Sequence, residues 1–397
     1  MTLANVLYAL LLLAFAANLA SAAYVLLAIW RVNGFRQRGN EAGTFQPPVS
    51  ILKPLCGLDA GLYENLRSFC VQAYPQYQVI FGVRNSSDPA IAVVERLTKE
   101  FPHADISLVI DGAVAGPNLK ISNLANMYRL VKYEHLILAD SDIRVDAQFV
   151  SSVVAPFEDP QVGMVTCLSS ASPTGGLPSL LASMFLNEWF LPSVLVAANI
   201  REIGFALGPT MALRRSLLER FGGFATISQF LADDYMLGRL TKSHGYKVVL
   251  STYVIQNIVH EKSLSALFRH ELRWARTIWT AEPLGYAFSF LMYGIPLAFF
   301  ASSLIEFTFD WEPFEIGIVV FAILLRVGMH FSVRRKLGLL PGSQSLWLIP
   351  VRDVLCFIIW CASFFGRRVD WKGVTLTVGS NGVLGETAEM TNRTGGP

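Results

Sequence analysis

The stretch HLILADSDIRVD, residues 135–146, joins a short strand-like run, mostly apolar, to a sudden concentration of acid: Asp140, Asp142 and, beyond Arg144, Asp146. In an extended strand, side chains two residues apart point the same way, so Asp140 and Asp142 can converge on one point. Two bare carboxylates that close repel each other, and the arrangement predicts a cation between them. By itself an Asp-Ser-Asp triplet is as readily a turn or a helix cap. Its meaning depends on what surrounds it.

Outward from this stretch, the β-rich runs VSILKPL, QVIFGV, ISLVI and HLILA alternate with helix-length segments, of which PAIAVVERLTKEF and LKISNLANMYRLVKY are the clearest. Strand, helix and strand in this order predict an α/β domain with a parallel, doubly wound sheet. Such sheets bind ligands at the carboxyl ends of their strands, where Asp140 and Asp142 lie.

The rest of the composition points to a membrane. Of 397 residues 53% are hydrophobic and only 16% charged, low for a soluble protein. No charged residue occurs from Met1 to Trp30, and Arg31, Arg36 and Arg38 follow. That run exceeds the ~20 apolar residues that span a bilayer, and it lacks the basic start and short core of a cleaved signal peptide. It predicts a transmembrane anchor over residues 1–30, a polar linker over 31–47 and a cytoplasmic domain over 48–280, with the basic flank on the cytoplasmic side. A net charge of +2 without a basic cluster argues against nucleic acid as a partner. The five cysteines have no zinc spacing and an odd count, so they are expected to be reduced. Two glycosylation-like triplets, at Asn85 and Asn392, fall in segments expected in the cytoplasm and are read as chance.

A second membrane region is expected over 284–366. Leu284 to Ile305 is uncharged and long enough to span, whereas Ile316 to Phe331 contains Arg326, and Arg352-Asp353 interrupts the next apolar run. Charges in a bilayer are costly unless they pair or face protein, so these two are expected to be weaker spans, with 346–366 interfacial or re-entrant. Residues 367–397 read as a polar tail, disordered from Thr375. Inside the soluble part, 177–200 is apolar but holds Asn187, Glu188 and Pro192 at its centre, which predicts an interfacial or core helix pair rather than a lipid-facing span.

Two further sites give the acidic pair chemical company. LADDY puts Asp233 and Asp234 at a helix start, and RHELRWART puts Arg269, Arg273 and Arg276 near Trp274. Together they suit transfer of a sugar from a nucleotide diphosphate. Asp140 and Asp142 would hold Mg or Mn, hard cations that bridge a diphosphate. Asp234 would take a proton from an acceptor hydroxyl, and Arg273 would pair with the departing diphosphate as a planar fork.

In order along the chain, NSSDPA (Asp88), GPNLKISNL (Lys120 and Asn123), ADSDIRV (Asp140), LADDY (Asp234) and the pair Arg273-Trp274 resemble the ceramide glucosyltransferases and the bacterial enzymes that glycosylate hopanoids, within the inverting nucleotide-sugar transferases. The resemblance implies a GT-A-like domain binding a UDP-sugar, with Asp88 near the uridine, Lys120 near phosphate, Asp140 near the metal and diphosphate, and Asp234 as base. Where the family's last motif usually has Gln or Arg, three positions before Arg273, this chain has His270, which can still donate a hydrogen bond. The expected reaction is inverting transfer, with glucose and ceramide favoured as sugar and lipid. Alternatives are a hopanoid N-acetylglucosaminyltransferase and, from other classes, a catalytically inactive membrane binding protein or a transporter.

Overall fold

The computed structural model describes residues 3–36, 45–309, 313–339, 346–371, 374–379 and 382–386. The chain divides into two compact units. One comprises Arg36–Leu180, Arg201–Lys262 and Arg367–Pro397; the other comprises Met1–Phe35, Leu181–Ile200 and Ser263–Gly366. The expected 48–280 domain is therefore interrupted: the chain leaves the first unit at Leu181 and again at Ser263, so the helix bearing His270, Arg273 and Trp274 belongs to the second unit.

The first unit is built on an eight-stranded sheet: β1 Val49–Pro54, β2 Tyr77–Val83, β3 Ile106–Ile110, β4 His135–Ala139, β5 Ile143–Arg144, β6 Val162–Pro173, β7 Thr210–Arg214 and β8 Lys247–Val259, ordered β3-β2-β1-β4-β7-β6-β8-β5. Strands β1 and β4 are buried almost end to end, as parallel strands covered on both faces should be. Ile51, Val79, Phe81, Ile137 and Val165 lie in the core. The first four strands in the order are parallel, as the alternation of strands and helices predicts. Beyond β4 the sheet becomes mixed, because β7 enters antiparallel between β4 and β6. Its register sets Thr210 opposite Ala139, so the start of β7 meets the end of β4 where the acidic residues begin.

The C-terminal stretch is not a disordered tail as far as it is described. Strands β9 Arg368–Trp371, β10 Val374–Val378 and β11 Leu384–Glu386 form an antiparallel sheet ordered β11-β10-β9. Reading this stretch by its polarity misses the alternation in Thr375-Leu376-Thr377-Val378, the period of a half-buried strand. Ser380, Asn392 and 387–397 lie outside the described residues.

In the second unit, helices Leu3–Gly34 and Pro313–Lys336, with 32 and 24 residues, are long and apolar enough to cross a membrane. Arg326 does not weaken the latter as expected: it is fully buried and its guanidinium meets Asp353 at 2.9 Å. The run from Leu284 to Ile305, expected as one span, is broken into Pro283–Met292 and Gly294–Phe309, bent by 67°. Pro296 has no amide to continue a helix through Met292, which places the break. Helix Leu348–Ser363 has 16 residues, about 24 Å at ~1.5 Å per residue, against a hydrocarbon core of ~30 Å. Between Leu177 and Ile200 the expected helix break is instead a π-helical turn, Leu186–Phe190, in which the Leu191 amide donates to the Leu186 carbonyl. Widening the turn lets the helix carry Pro192, whose missing amide would otherwise interrupt it.

Candidate active site

Strand β4 stops at Ala139, and Asp140 to Ile143 form a turn closed by the Ile143 amide donating to the Asp140 carbonyl at 3.3 Å. The two carboxylates thus converge through a turn and not along a strand. Burial, then the nearby charges of Asp140 and Asp59, push the Asp142 carboxyl up to about 7, and its Oδ1 is buried without a hydrogen-bond partner.

The cations that face this acid come from a helix start and the end of a strand. Lys120, in the first turn of helix Leu119–Tyr128, reaches Asp140 Oδ1 at 2.5 Å and the Gly208 carbonyl at 3.4 Å. Burial opposes its charge, but Asp140, Asp233 and Asp234 outweigh that and hold the ammonium above the usual lysine value. Lys53 in β1 is fully buried, donates to the Asp140 carbonyl at 2.7 Å and lies 3.6 Å from the centroid of the Phe69 ring. Burial depresses it to about 7 despite Asp140, Asp142 and Asp59.

Asp233 and Asp234 open helix Asp233–Ser243, whose preceding residue, Ala232, has no side chain to cap it. Asp233 is buried and accepts from Asn118 Nδ2 at 3.2 Å. Asp234 points elsewhere. A Cβ added at Gly208 would lie 3.0 Å from Asp234 Oδ2, so a larger residue here would press this carboxylate to give by a few tenths of an ångström. Asp234 is raised to about 6 by burial and by the charge of Asp233, with the Tyr235 and Gly208 amides pulling the other way. Asp140 donates its own amide to Pro209 at 3.0 Å. The segment Gly208-Pro209 therefore touches Asp140, Lys120 and Asp234 at once.

The remaining expected residues have separate settings. Asp88 accepts from the Gly57 amide at 2.9 Å and from the Ala90 amide at 2.9 Å, capping helix Ala90–Glu100 while fixing the loop after β1. Asn123 is buried and donates to the Gly82 carbonyl at 2.8 Å. His270, Arg273 and Trp274 share helix Leu264–Ala281 in the second unit, the rings of His270 and Trp274 lying 4.2 Å apart. Sequence reasoning passed over Lys53, Asp59, Asn118 and Gly208. A lysine inside the apolar run VSILKPL is a signal for the first, and Gly-Pro before a strand for the last; Asp59 and Asn118 are unremarkable in the sequence.

Asp142 Oδ1 is an orphaned hard oxygen beside Asp140 and Asp59, which is the donor chemistry that Mg and Mn prefer. Among the described residues no three side chains are already gathered as a complete metal cage. Mg-type ions are commonly held by one or two carboxylates with substrate phosphate completing the shell, so the residues present fit such an ion.

A mixed α/β sheet with acid at the end of β4 is the GT-A-like arrangement of nucleotide-sugar glycosyltransferases. The mannosyltransferase PcManGT of Pyrobaculum calidifontis, solved with GDP-Man and Mn2+, superposes with a TM-score of 0.54 over 90% of this chain and 99% of its own, at 18% identity. Two ceramide glucosyltransferases of Caenorhabditis elegans are similar in sequence. Ceramide glucosyltransferase 3 is 27% identical over 336 residues, 82% of this chain and 72% of its own length, and ceramide glucosyltransferase 1 is 28% identical over 233 residues, 58% and 49%. The enzyme from Komagataella phaffii is 35% identical over 101 residues, 24% of this chain and 20% of its own. The protein is a glycosyltransferase with helices able to span a membrane, and it is a membrane protein. Residues 13–384 match glycosyl transferase family 21, and the chain belongs to that family.

Proposed function

We propose that this protein transfers glucose from UDP-glucose to the hydroxyl of a ceramide at the cytoplasmic face of a membrane, with inversion at the sugar carbon. The observation that carries the reading is the meeting of Asp140, Lys120 and Asp234 around Gly208, on a chain whose relatives are ceramide glucosyltransferases. A Mn or Mg ion held by Asp140 and Asp142 would supply positive charge to the diphosphate oxygens. Asp234, raised to about 6 yet ionised at neutral pH, accepts the proton of the acceptor hydroxyl. The hydroxyl oxygen forms its bond to the anomeric carbon from the face opposite the diphosphate, the bond to UDP breaks, and the proton stays on Asp234. Asp88 is assigned to the uridine, Lys120 to phosphate, and Arg273 to the departing diphosphate, with Trp274 and His270 beside it.

The test is incubation of purified protein with UDP-glucose, UDP-N-acetylglucosamine and UDP-galactose in turn, each with ceramide or a hopanoid polyol in detergent, followed by mass spectrometry. A β-glucosylceramide is expected. A hopanoid carrying N-acetylglucosamine would move the protein to the second substrate pair, and the absence of any glycolipid or donor hydrolysis would make it a binding protein.

A further inference from the structure

The helix that begins at Asp233 has no capping side chain at Ala232, so something else must fix where it starts. The five preceding residues, Ser228 to Ala232, belong to no helix or named strand. On one side they are held by Asn118, whose amide donates to the Ser228 carbonyl and whose Nδ2 donates to the Phe230 carbonyl, both at 2.9 Å. On another side they are held by the C-terminus of the chain. The Leu384 amide donates to the Gln229 carbonyl at 2.7 Å, the Leu231 amide donates to the Gly382 carbonyl at 3.2 Å, and Phe230 pairs with Val383 in an antiparallel bridge. Leu231 is buried together with Val369, Leu376 and Leu384, one from each strand of the C-terminal sheet.

We propose that the C-terminal sheet, β9 to β11, is a positioning element of the active site: by adding residues 382–384 as a strand to 229–231, it sets the start of helix Asp233–Ser243 and with it the carboxylate of Asp234. The inference rests on Asp234 being the base. It makes the last described segment of the chain part of the catalytic apparatus without any of its residues touching substrate. At Gly208 the chain passes close to Asp234, since an added Cβ would lie 3.0 Å from Oδ2, so a shifted helix start changes this approach directly. Displacement of a catalytic group by ~1 Å can cost about a hundredfold in rate.

The test uses the full chain with UDP-glucose and a short-chain ceramide in micelles. Leu384→Pro removes the amide donor to Gln229 and the buried side chain; Leu384→Ile keeps an amide and an apolar group. Leu384→Pro is expected to lower kcat by about tenfold to a hundredfold, to leave KM for UDP-glucose essentially unchanged, and to accelerate amide hydrogen exchange over residues 229–236 but not in β1 to β4. Leu384→Ile should restore all three readouts. Should Leu384→Pro fail to fold, Leu384→Ala, which retains the amide, should show the same pattern in weaker form. Faster exchange over 229–236 with parent kcat, or unchanged exchange, would overturn the proposal. If instead Asp234→Asn retained parent kcat, the assignment of the base would have failed, and with it what the sheet is said to position.

Discussion

Buried charge is handled in opposite ways in the two units. In the helical unit, among the described residues, two buried arginines each meet a carboxylate. Arg326 meets Asp353 through Nε and Nη2 at 2.9 and 3.1 Å, and Trp189 Nε1 donates to the same carboxylate at 3.1 Å. Arg352 meets Glu271 through both terminal nitrogens, and His330 Nδ1 lies 2.7 Å from Glu188 Oε1. In the sheet unit, among the described residues, four carboxylates, Asp140, Asp142, Asp233 and Asp234, gather around two lysines, Lys53 and Lys120. Closed pairs hold a structure together when nothing else arrives. A cluster richer in acid than in base costs stability by itself, and under the proposed function a cation would offset that cost.

The largest effect expected from that asymmetry is on the metal. EDTA should abolish transfer and added Mn or Mg should restore it, while Asp142→Ala should need far more metal for the same rate. Rates measured across a metal titration decide this; undiminished transfer in EDTA would mean that no metal is needed beside the acid cluster and that the lysines alone face the diphosphate.

Next is Asp234, where catalysis and stability should move in opposite directions. Asp234→Asn keeps the shape but cannot accept the proton, so kcat should fall by about two orders of magnitude or more, with UDP affinity little changed. In the unliganded protein the same change should raise the thermal midpoint at pH 8. The folded carboxyl sits at about 6, above the ~3.9 of an unfolded aspartate, so ionising it costs the folded state. The gain should therefore be full above about pH 6, shrink as pH falls, and vanish below ~4, where parent Asp234 is protonated in both states. The parent rate should show an acid limb near the same value. A larger kcat loss from Asp233→Asn would transfer the role of base to Asp233.

A smaller change in rate but a large one in stability is expected from the closed pairs. Arg326→Met leaves Asp353 ionised and buried, which typically costs about 3–5 kcal/mol. Arg326→Met combined with Asp353→Leu should recover most of it, because an apolar pair of similar volume is often neutral. Denaturation in detergent micelles checks both. A double variant no more stable than the single one would show that Arg326 serves more than its partner.

How much of this could be read beforehand follows the same division. The parallel strands, and the place of Asp140 and Asp142 just past the end of β4, were legible because apolar runs ending in acid leave a local trace. The antiparallel entry of β7 was not, since strand direction is set by the pairing of Thr210 with Ala139 across 71 residues of chain. Arg352 and Asp353 looked like defects in a span because their partners, Glu271 and Arg326, are distant in sequence. The C-terminal sheet was lost to its polar composition, although Val369, Leu376 and Leu384 are all buried.

The smallest effect expected is at His270, on helix Leu264–Ala281 three residues before Arg273. Its ring lies 4.2 Å from that of Trp274, one helical turn further on, so an imidazole here is held partly by its aromatic neighbour. Gln keeps a donor, lacks a titrating proton and cannot stack as a ring. If His270 serves only as a donor, His270→Gln should keep transfer within a few-fold of the parent. The acid limb assigned to Asp234 must survive the substitution, since Asp234 remains. Parent and variant pH–rate profiles for kcat separate the two groups: loss of the limb in His270→Gln would assign it to the imidazole, and the depressed activity below pH 6 would then say nothing about the base.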